Sequence, residues 1–275
     1  MSAKHTKISK KITSEMELSF IIVNHRSDLY LKKCLASIAE ASFSFSYEVI
    51  VVHNDGEIHE GFLMPKEIPL RIYQTEDACG YGTANNFGAK FTQGKNLCFL
   101  NPDTLILEGD FGQILDLLEK EIGIVGPKLV TDEQKNVQPW CTGEEITLAQ
   151  TIKNNLGLGA SKMIWQKNEP ILTDWVSGAC LFIRKNLFEE LGGFDEKFFM
   201  YFEDVDLCRR AKAKKQKILY FPIATVFHWG GKSQQSDAAQ KKFYYASQDY
   251  YFQKHFGTFS RQTLQFLRFI FRKKA

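Results

Sequence analysis

The sequence lacks any apolar run long enough to form a membrane-spanning helix, which argues against an integral membrane protein. No stretch approaches the roughly 18 to 20 apolar residues that a membrane-spanning helix needs. Residues 1–17 are polar and charged, unlike a secretory signal. We therefore expect a cytoplasmic protein.

Two further absences narrow the class of protein. The six cysteines form no C-x-x-C pair, and several lie inside apolar runs, where a reduced thiol packs as a small hydrophobic group. The formal net charge of +3 is too small to indicate a nucleic acid partner. With 275 residues, 44% hydrophobic and 24% charged, the chain is expected to be globular and to lie in a reducing compartment.

The chain from residue 18 to residue 130 alternates between strand and helix patterns. This order predicts an α/β fold with a mainly parallel sheet and crossover helices. The predicted strands are 18–24, 47–55, 69–74, 96–103 and 122–130, and the predicted helices are 27–41, 82–94 and 109–121. Ligands of such sheets bind outside the carboxyl ends of the strands. Polar clusters follow three of these strands, at residues 24–25, 53–55 and 101–104.

The second half of the chain gives weaker patterns. Residues 132–170 are predicted as loops with one helix, and residues 173–185 as one strand-like segment. A short helix follows and ends at Gly192 and Gly193. Residues 216–231 are predicted as two short strands separated at Pro222.

Two polar residues at strand ends are candidate metal ligands. Asp103 follows the apolar segment of "NLCFLNPD", and His228 ends the apolar segment of "VFHWGG". A carboxylate oxygen and an imidazole nitrogen, with substrate phosphates completing the shell, suit Mn²⁺ or Mg²⁺. A capped turn at Asp103 and a structural histidine at His228 are the alternatives.

Three acidic residues follow a run of aromatic residues in "FFMYFEDVDLCRR". Glu203, Asp204 and Asp206 fall in the first turn of a predicted helix, where negative charge is favourable. Helix capping accounts for the charges. The aromatic residues ahead of them would desolvate a carboxylate and raise its pKa toward values useful for a general base.

A glycine-rich segment, "GYGTANNFG" from Gly80 to Gly88, precedes another predicted helix. It is able to bring backbone N–H groups close to a phosphate or ribose, or to form a tight structural turn. Its spacing is not G-x-G-x-x-G, so it does not indicate a dinucleotide site.

Taken together, these stretches resemble the family 2 glycosyltransferases of the GT-A fold, in their bacterial rhamnosyltransferase-like branch. The matching segments are "FIIVNHRSDLYLKKCLASI", "GYGTANNFGAK", "FLNPDT" and the nearly continuous block from "DWVSGACLFIRK" to "VFHWGGKS". The resemblance implies a GT-A sheet flanked by helices and an inverting transfer from a nucleotide diphosphate sugar. It also implies a lipid-linked or polysaccharide acceptor in cell surface glycan assembly.

The resemblance assigns roles to individual residues. Asp103 matches the last aspartate of the metal-binding DxD-type motif, Asn101 stands in place of its first aspartate, and His228 joins the metal and diphosphate site. Asp204 matches the catalytic base. Asn24 and the turn containing Gly80 and Asn85 are similar to parts that hold the nucleoside. Trp175 and Gly178 lie in the segment lining the donor sugar and acceptor, while Glu203 and Asp206 orient the helix or bind the acceptor.

One departure from the family pattern concerns the nucleotide base. The family commonly has Asp-Asn after the second strand, whereas this chain has His53 and Asn54, followed by Asp55. Either Asp55 takes over base recognition by a one-residue shift, or the base is recognised differently. The resemblance implies a dTDP-sugar or UDP-sugar as donor, and the branch suggests dTDP-rhamnose. If His53 alters base recognition, the donor is a different one.

The two ends of the chain differ from the body. We predict a basic mobile arm at 1–17, the catalytic domain at 18–232, and a helical segment at 233–275. The last residues form an amphipathic pattern rich in arginine and lysine, which favours contact with the inner face of the cell membrane over packing on the domain. Its apolar residues are Leu264, Phe266, Leu267, Ile270 and Phe271.

Two other functions are compatible with parts of this pattern. A sugar nucleotidyltransferase binds similar donors, but usually has a basic glycine-rich loop where this chain has "NHRSD". A degenerate binding protein that kept the fold is the non-enzymatic alternative. The retained Asp103, Asp204 and His228 oppose it, whereas His53 leaves it open.

Overall fold

The computed structural model describes residues 15–55, 68–120, 122–155, 161–230 and 237–272. Most of the predicted amino-terminal arm lies outside these ranges, so its mobility remains a prediction.

The first part of the chain follows the predicted order of strands and helices. Its elements are β1 (Leu18–Asn24), α1 (Asp28–Glu40), β2 (Tyr47–His53), β3 (Leu70–Gln74), α2 (Tyr81–Ala89), β4 (Asn96–Leu100), β5 (Thr104–Glu108), α3 (Phe111–Lys120) and β6 (Ile122–Val130). Only β5 was not predicted. It follows the turn at Asn101–Asp103 and returns along the sheet edge.

The second part contains more elements than its sequence pattern indicates. They are β7 (Thr142–Gly143), α4 (Leu148–Asn155), α5 (Ser161–Trp165), β8 (Ile171–Thr173), β9 (Trp175–Val176), β10 (Cys180–Arg184), α6 (Lys185–Glu190), α7 (Glu203–Ala213), β11 (Lys217–His228) and α8 (Asp237–Arg272). The prediction of one helix between 132 and 170 is wrong, because two short helices lie there.

Two predicted strand patterns also need correction. The segment 173–185 is not one strand, because residues 177–179 turn the chain between β9 and β10. The segment 216–231 is not two strands separated at Pro222. β11 is continuous, and its pairing with β6 shifts register between Phe221 and Thr225, so the proline is accommodated at a bulge.

The main sheet is mixed. Within the described residues its order is β3-β2-β1-β4-β10-β6-β11-β5, with β8 added beside β11. β1 pairs in parallel with β2 and β4, and β6 pairs in parallel with β11, whereas β10 runs antiparallel between β4 and β6. The carboxyl ends of β1, β2, β4, β6 and β11 therefore meet at one edge, where β10 begins.

Apolar layers cover both faces of this sheet. One core cluster joins the sheet to α1 and α3, and another joins it to α6, α7 and α8. All seven residues of β1 are buried, as expected for a central strand covered on both sides. This is the predicted α/β architecture, with one edge of the sheet left open for a ligand.

The carboxyl-terminal helix α8 is anchored in the second cluster. Tyr251 and Phe252 are fully buried there, and Leu264 is nearly so. The helix is interrupted at Gly257, whose φ of +82° lies in the left-handed region that favours glycine. None of the described helices has the length and apolar character needed to cross a membrane.

Candidate active site

A cavity of about 980 Å³ opens at the carboxyl edge of the sheet. Its floor includes residues that follow β1, β2 and β4, together with the end of β11. The start of α7 and two parts of α8 complete its wall. Segments far apart in sequence therefore meet around one site.

One corner of the cavity contains both predicted metal ligands. The His228 Nε2 atom lies 3.2 Å from the Asp103 Oδ1 atom and 3.3 Å from the Asn101 Nδ2 atom. On the other side of the ring, Nδ1 lies 2.6 Å from the Gln138 Oε1 atom. An amide oxygen only accepts hydrogen bonds, so Nδ1 is the donor. In the neutral ring, the Nε2 lone pair then faces the cavity corner, where the Asn101 Nδ2 group donates to it.

The residues at this corner fit a divalent cation. A carboxylate oxygen and an imidazole lone pair face each other, and these donors suit Mn²⁺ or Mg²⁺. Among the described residues, no group of three or more histidine, cysteine or acidic side chains is suitably placed for a metal. A cation held by Asp103 and His228 would therefore take its remaining ligands from the diphosphate, the Asn101 amide and water.

Asp204 reaches the cavity through an unusual turn. Tyr201 and Phe202 have φ angles of +70° and +69°, a left-handed conformation that is unfavourable for residues with a Cβ atom. This turn directs the start of α7 toward the loop before β10. There the Gly178 amide donates a hydrogen bond of 2.7 Å to Asp204 Oδ2, and the Val205 amide donates to Oδ1 at 2.8 Å.

The surroundings of the adjacent Glu203 and Asp204 side chains raise the pKa of both. Burial raises the pKa of Asp204, and the amides of Gly178 and Val205 oppose this rise by stabilising the carboxylate. Burial and the charge of Asp204 raise the pKa of Glu203 well above its ordinary value. The neutral form of Glu203 is therefore favoured, whereas the two amides stabilise the carboxylate of Asp204.

Asp206 lies outside the cavity lining. Its fully buried carboxylate accepts hydrogen bonds from Arg210 Nε, Lys254 Nζ and His255 Nε2 at distances of 2.7, 2.6 and 2.7 Å. Burial would raise the pKa of Asp206, but the His255 hydrogen bond and the Arg210 and Lys254 charges outweigh it and lower the pKa to about 2. Asp206 therefore joins α7 to α8. The geometry supports the prediction that it orients the helix and gives no support to acceptor binding.

Comparison with known proteins identifies the family of the chain. The family model described as "Glycosyltransferase like family 2" matches residues 16–243. The chain belongs to this glycosyltransferase family. The matched span includes every element that lines the sheet side of the cavity and the first residues of α8.

Two relatives of this glycosyltransferase are rhamnosyltransferases by name. It is 30% identical over 244 residues to the N-acetylglucosaminyl-diphospho-decaprenol L-rhamnosyltransferase of Mycobacterium tuberculosis, covering 81% of this chain and 79% of the relative. It is 26% identical over 223 residues to rhamnosyltransferase WbbL of Escherichia coli, covering 76% of this chain and 82% of the relative.

Solved structures confirm the GT-A fold. The glycosyltransferase is similar to GalNAc-T7 crystallised with UDP, GalNAc and Mn²⁺, with a TM-score of 0.60 and 15% identity over 88% of this chain and 51% of that one. It is also similar to Staphylococcus aureus TarS in complex with UDP-GlcNAc, with a TM-score of 0.52 and 16% identity over 86% of this chain and 73% of that one.

Most of the predicted site residues of the glycosyltransferase line its cavity. Trp175 forms part of the wall and donates from Nε1 to the Glu144 carbonyl at 3.0 Å. The predicted residues in the lining are Asn54, Asn101, Asp103, Trp175, Gly178, Glu203, Asp204 and His228.

Several predicted nucleotide contacts are instead buried beside the cavity. Asn24 is fully buried, accepts from the Ser27 amide and donates to Asp28, so it organises the start of α1. His53 is fully buried, and its Nδ1 atom lies 3.2 Å from Asn24 Nδ2. Asn85 is buried within α2, and Asp55 is not part of the lining. The structure does not bring these four residues to the cavity.

Gly80 serves the fold of the site rather than its surface. A Cβ atom here would lie 2.9 Å from the Phe199 carbonyl oxygen, and the following amide, that of Tyr81, donates to the same oxygen at 2.9 Å. The glycine-rich turn therefore holds the aromatic segment ahead of Asp204. This favours the structural interpretation of the turn over direct phosphate contact.

The sequence patterns missed other residues of the lining. His25 belongs to the first polar cluster and bonds the Asn54 carbonyl through Nδ1 at 2.8 Å, so strand position was an available signal. Gln138 and Trp140 lie in a segment without periodicity. The α8 residues, including Tyr244 and Arg268, meet the site only through tertiary packing.

The buried junction at Asp206 predicts a measurable contribution to stability. A carboxylate whose folded pKa is lowered stabilises the fold above its ordinary pKa of 3.8, and this stabilisation is lost as the pH falls toward about 2. Asp206→Asn should lower the free energy of unfolding at pH 7 by about 2 kcal/mol or more. The difference from the unmodified protein should shrink below pH 4, as measured by urea denaturation.

Glu190→Gln is the matched control, because Glu190 forms an exposed ion pair with Lys214. Exposed pairs contribute about 0 to 1 kcal/mol. Equal losses in the two variants, or no pH dependence for Asp206→Asn, would contradict the role of Asp206.

Proposed function

We propose that this glycosyltransferase moves one sugar from a UDP-sugar or dTDP-sugar to a lipid-linked glycan acceptor, with inversion at the anomeric carbon. The observation that supports this most strongly is the fixed Asp204 carboxylate in the same cavity as the Asp103 and His228 corner. The names of the two relatives support rhamnose as the transferred sugar. The family match favours sugar transfer over nucleotide transfer.

The proposed reaction is a single displacement. The acceptor hydroxyl oxygen forms a bond to the anomeric carbon while the bond to the diphosphate oxygen breaks. Asp204 takes the hydroxyl proton, because its carboxylate is held by two amides and desolvation raises its basicity. The nucleoside diphosphate leaves with the negative charge.

Asp103, His228 and Asn101 would hold the diphosphate end of the donor. A divalent cation at this corner would offset the charge that develops on the leaving group. Gln138 keeps the His228 ring oriented, since its Oε1 atom accepts a hydrogen bond from Nδ1–H and leaves Nε2 toward the corner. The nucleoside then lies toward the ends of β1 and β2, near His25 and Asn54.

The role of Asp204 predicts a loss of turnover without a loss of donor binding. Asp204→Asn should lower kcat by about 10²- to 10⁴-fold, the usual contribution of a general base. The assay measures nucleoside diphosphate release from UDP- and dTDP-sugars, with Mn²⁺ and a short-chain GlcNAc-diphospho-lipid as acceptor.

Glu203→Gln is the control for this assay. Because the pKa of Glu203 is raised, glutamine resembles its neutral form, and activity should stay within about tenfold of the unmodified enzyme. Full activity in Asp204→Asn, or an equal loss in both variants, would refute the assignment.

The role of Gln138 predicts a weaker response to the metal. Gln138→Leu removes the acceptor for His228 Nδ1, so Mn²⁺-dependent UDP affinity should fall by about 10- to 100-fold. UDP affinity without Mn²⁺ should not change. Calorimetric titration measures both, with the exposed Gln134→Leu as control. An unchanged Mn²⁺ effect in Gln138→Leu would contradict this role.

We also propose that α8 brings the protein to the inner face of the cell membrane. Leu264 packs on the domain, whereas Phe259, Phe266, Phe269 and Ile270 are exposed on the same helix. One face of this helix therefore packs on the domain, and another face is exposed for the proposed contact with the membrane. Residues 273–275 and the side chains of Phe271 and Arg272 are outside the description.

This proposal predicts binding to anionic vesicles. Replacing Phe266 and Phe269 together with alanine should weaken binding to phosphatidylglycerol-containing vesicles at least tenfold, because two aromatic side chains no longer enter the interface. Leu29→Ala, which removes an exposed apolar side chain from α1, should have no effect. Equal vesicle binding by the double variant and the unmodified protein would refute the proposal.

A further inference from the structure

Trp140 has an unusual conformation for a large aromatic residue. Its φ of +60° is left-handed, which is unfavourable for a side chain with a Cβ atom. Its side chain also remains 50% exposed, although tryptophan is ordinarily well buried. It lies in the lining of the active-site cavity, and no role in the proposed reaction accounts for it.

The conformation of Trp140 is fixed from both sides. Before it, the Gln138 amide donates to the Leu129 carbonyl at 2.8 Å. After it, the Cys141 carbonyl accepts from the Ser177 amide at 2.9 Å. The ring meets Trp165 edge to face, with centroids 5.0 Å apart, and Trp165 is itself buried. The exposed ring is therefore a rigid surface and not a freely moving side chain.

The sheet order places Trp140 away from the strands at the proposed nucleoside end of the cavity. In the proposed reaction the nucleoside lies over β1 and β2, and the metal corner joins the turn after β4 to the end of β11. Trp140 is tied to the end of β6, which lies beyond β4 and β10 from the nucleoside end. Asp204 contacts the loop that begins β10. A molecule that approaches Asp204 from the side opposite the donor nucleotide would pass Trp140.

We infer that Trp140 is a stacking platform for a sugar ring of the acceptor, an inference that rests on the proposed sugar transfer. A sugar ring has apolar C–H groups on its faces and hydroxyl groups at its edge. A rigid, half-exposed indole matches the face. Glu144 and Thr151, which line the same cavity, provide oxygen acceptors for the hydroxyl groups at the edge.

The test measures binding of acceptor sugars separately from binding of the donor nucleotide. The probes are a short-chain GlcNAc-diphospho-lipid and a panel of fluorescent oligosaccharides, titrated into the full-length protein with UDP and Mn²⁺. Trp140→Ala should weaken probe binding about tenfold, and Trp140→Phe only about two- to threefold because a smaller aromatic face remains. UDP affinity should be unchanged in both.

Two controls distinguish sugar binding by Trp140 from a purely structural role of this residue. Trp140→Gly accepts the left-handed φ, so its melting temperature should match or exceed that of Trp140→Ala, while probe binding is lost. Leu172→Ala removes an exposed apolar side chain outside the cavity lining and should not affect probe binding.

The possible outcomes distinguish this inference from the proposed function. Unchanged probe affinity in Trp140→Ala, or no binding of any probe by the unmodified protein, would overturn the platform. Trp140-dependent sugar binding by a protein that does not bind UDP- or dTDP-sugars would leave the platform standing and overturn the proposed sugar transfer.

Discussion

The left-handed turn at Tyr201 and Phe202 is the constraint on which the active site depends. Each residue in this conformation costs on the order of 1 to 2 kcal/mol relative to ordinary backbone. The cost is offset by burial of Phe198 and Phe202 and by the hydrogen bond from Gly178 to Asp204. Without this turn, α7 would not present its first carboxylates to the edge of the sheet where the cavity opens.

The helix α8 supports this turn from the outside. Phe199 stacks on Phe243, and Tyr201 and Phe202 contact Tyr244. Deeper in the interface, Asp206 binds two basic side chains of α8. Residues of α8 also form part of the cavity wall. The carboxyl-terminal helix therefore contributes to the active site in addition to any contact with a membrane.

The elements of the first half were predictable because each has its own strong pattern. β1 and β2 are continuous apolar runs, and α1 has apolar residues at helical spacing, so local chemistry and burial agree. The elements between 132 and 176 were less predictable. Strands as short as β7 and β9 have two residues each and depend on pairing with each other, which a local pattern does not contain.

The residues of the candidate site were also only partly predictable from the sequence. Asp103 and His228 were recognisable because polar residues at the carboxyl ends of strands converge in an α/β sheet. The different roles of Asp204 and Asp206 were not, since both lie in one helical turn and only tertiary packing gives Asp204 the Gly178 amide and Asp206 two basic partners on α8. The contact between Asn24 and His53 likewise joins residues 29 positions apart, which a local pattern does not contain.

The most direct test of the proposed donor and metal site is thermal unfolding of the purified protein with UDP-, dTDP- and GDP-sugars, each with and without Mn²⁺. A ligand that binds only the folded state raises its apparent stability. We predict a Mn²⁺-dependent rise in melting temperature with a UDP-sugar or a dTDP-sugar, and loss of that rise in Asp103→Asn. No rise with any donor, or the same rise in Asp103→Asn, would contradict this prediction.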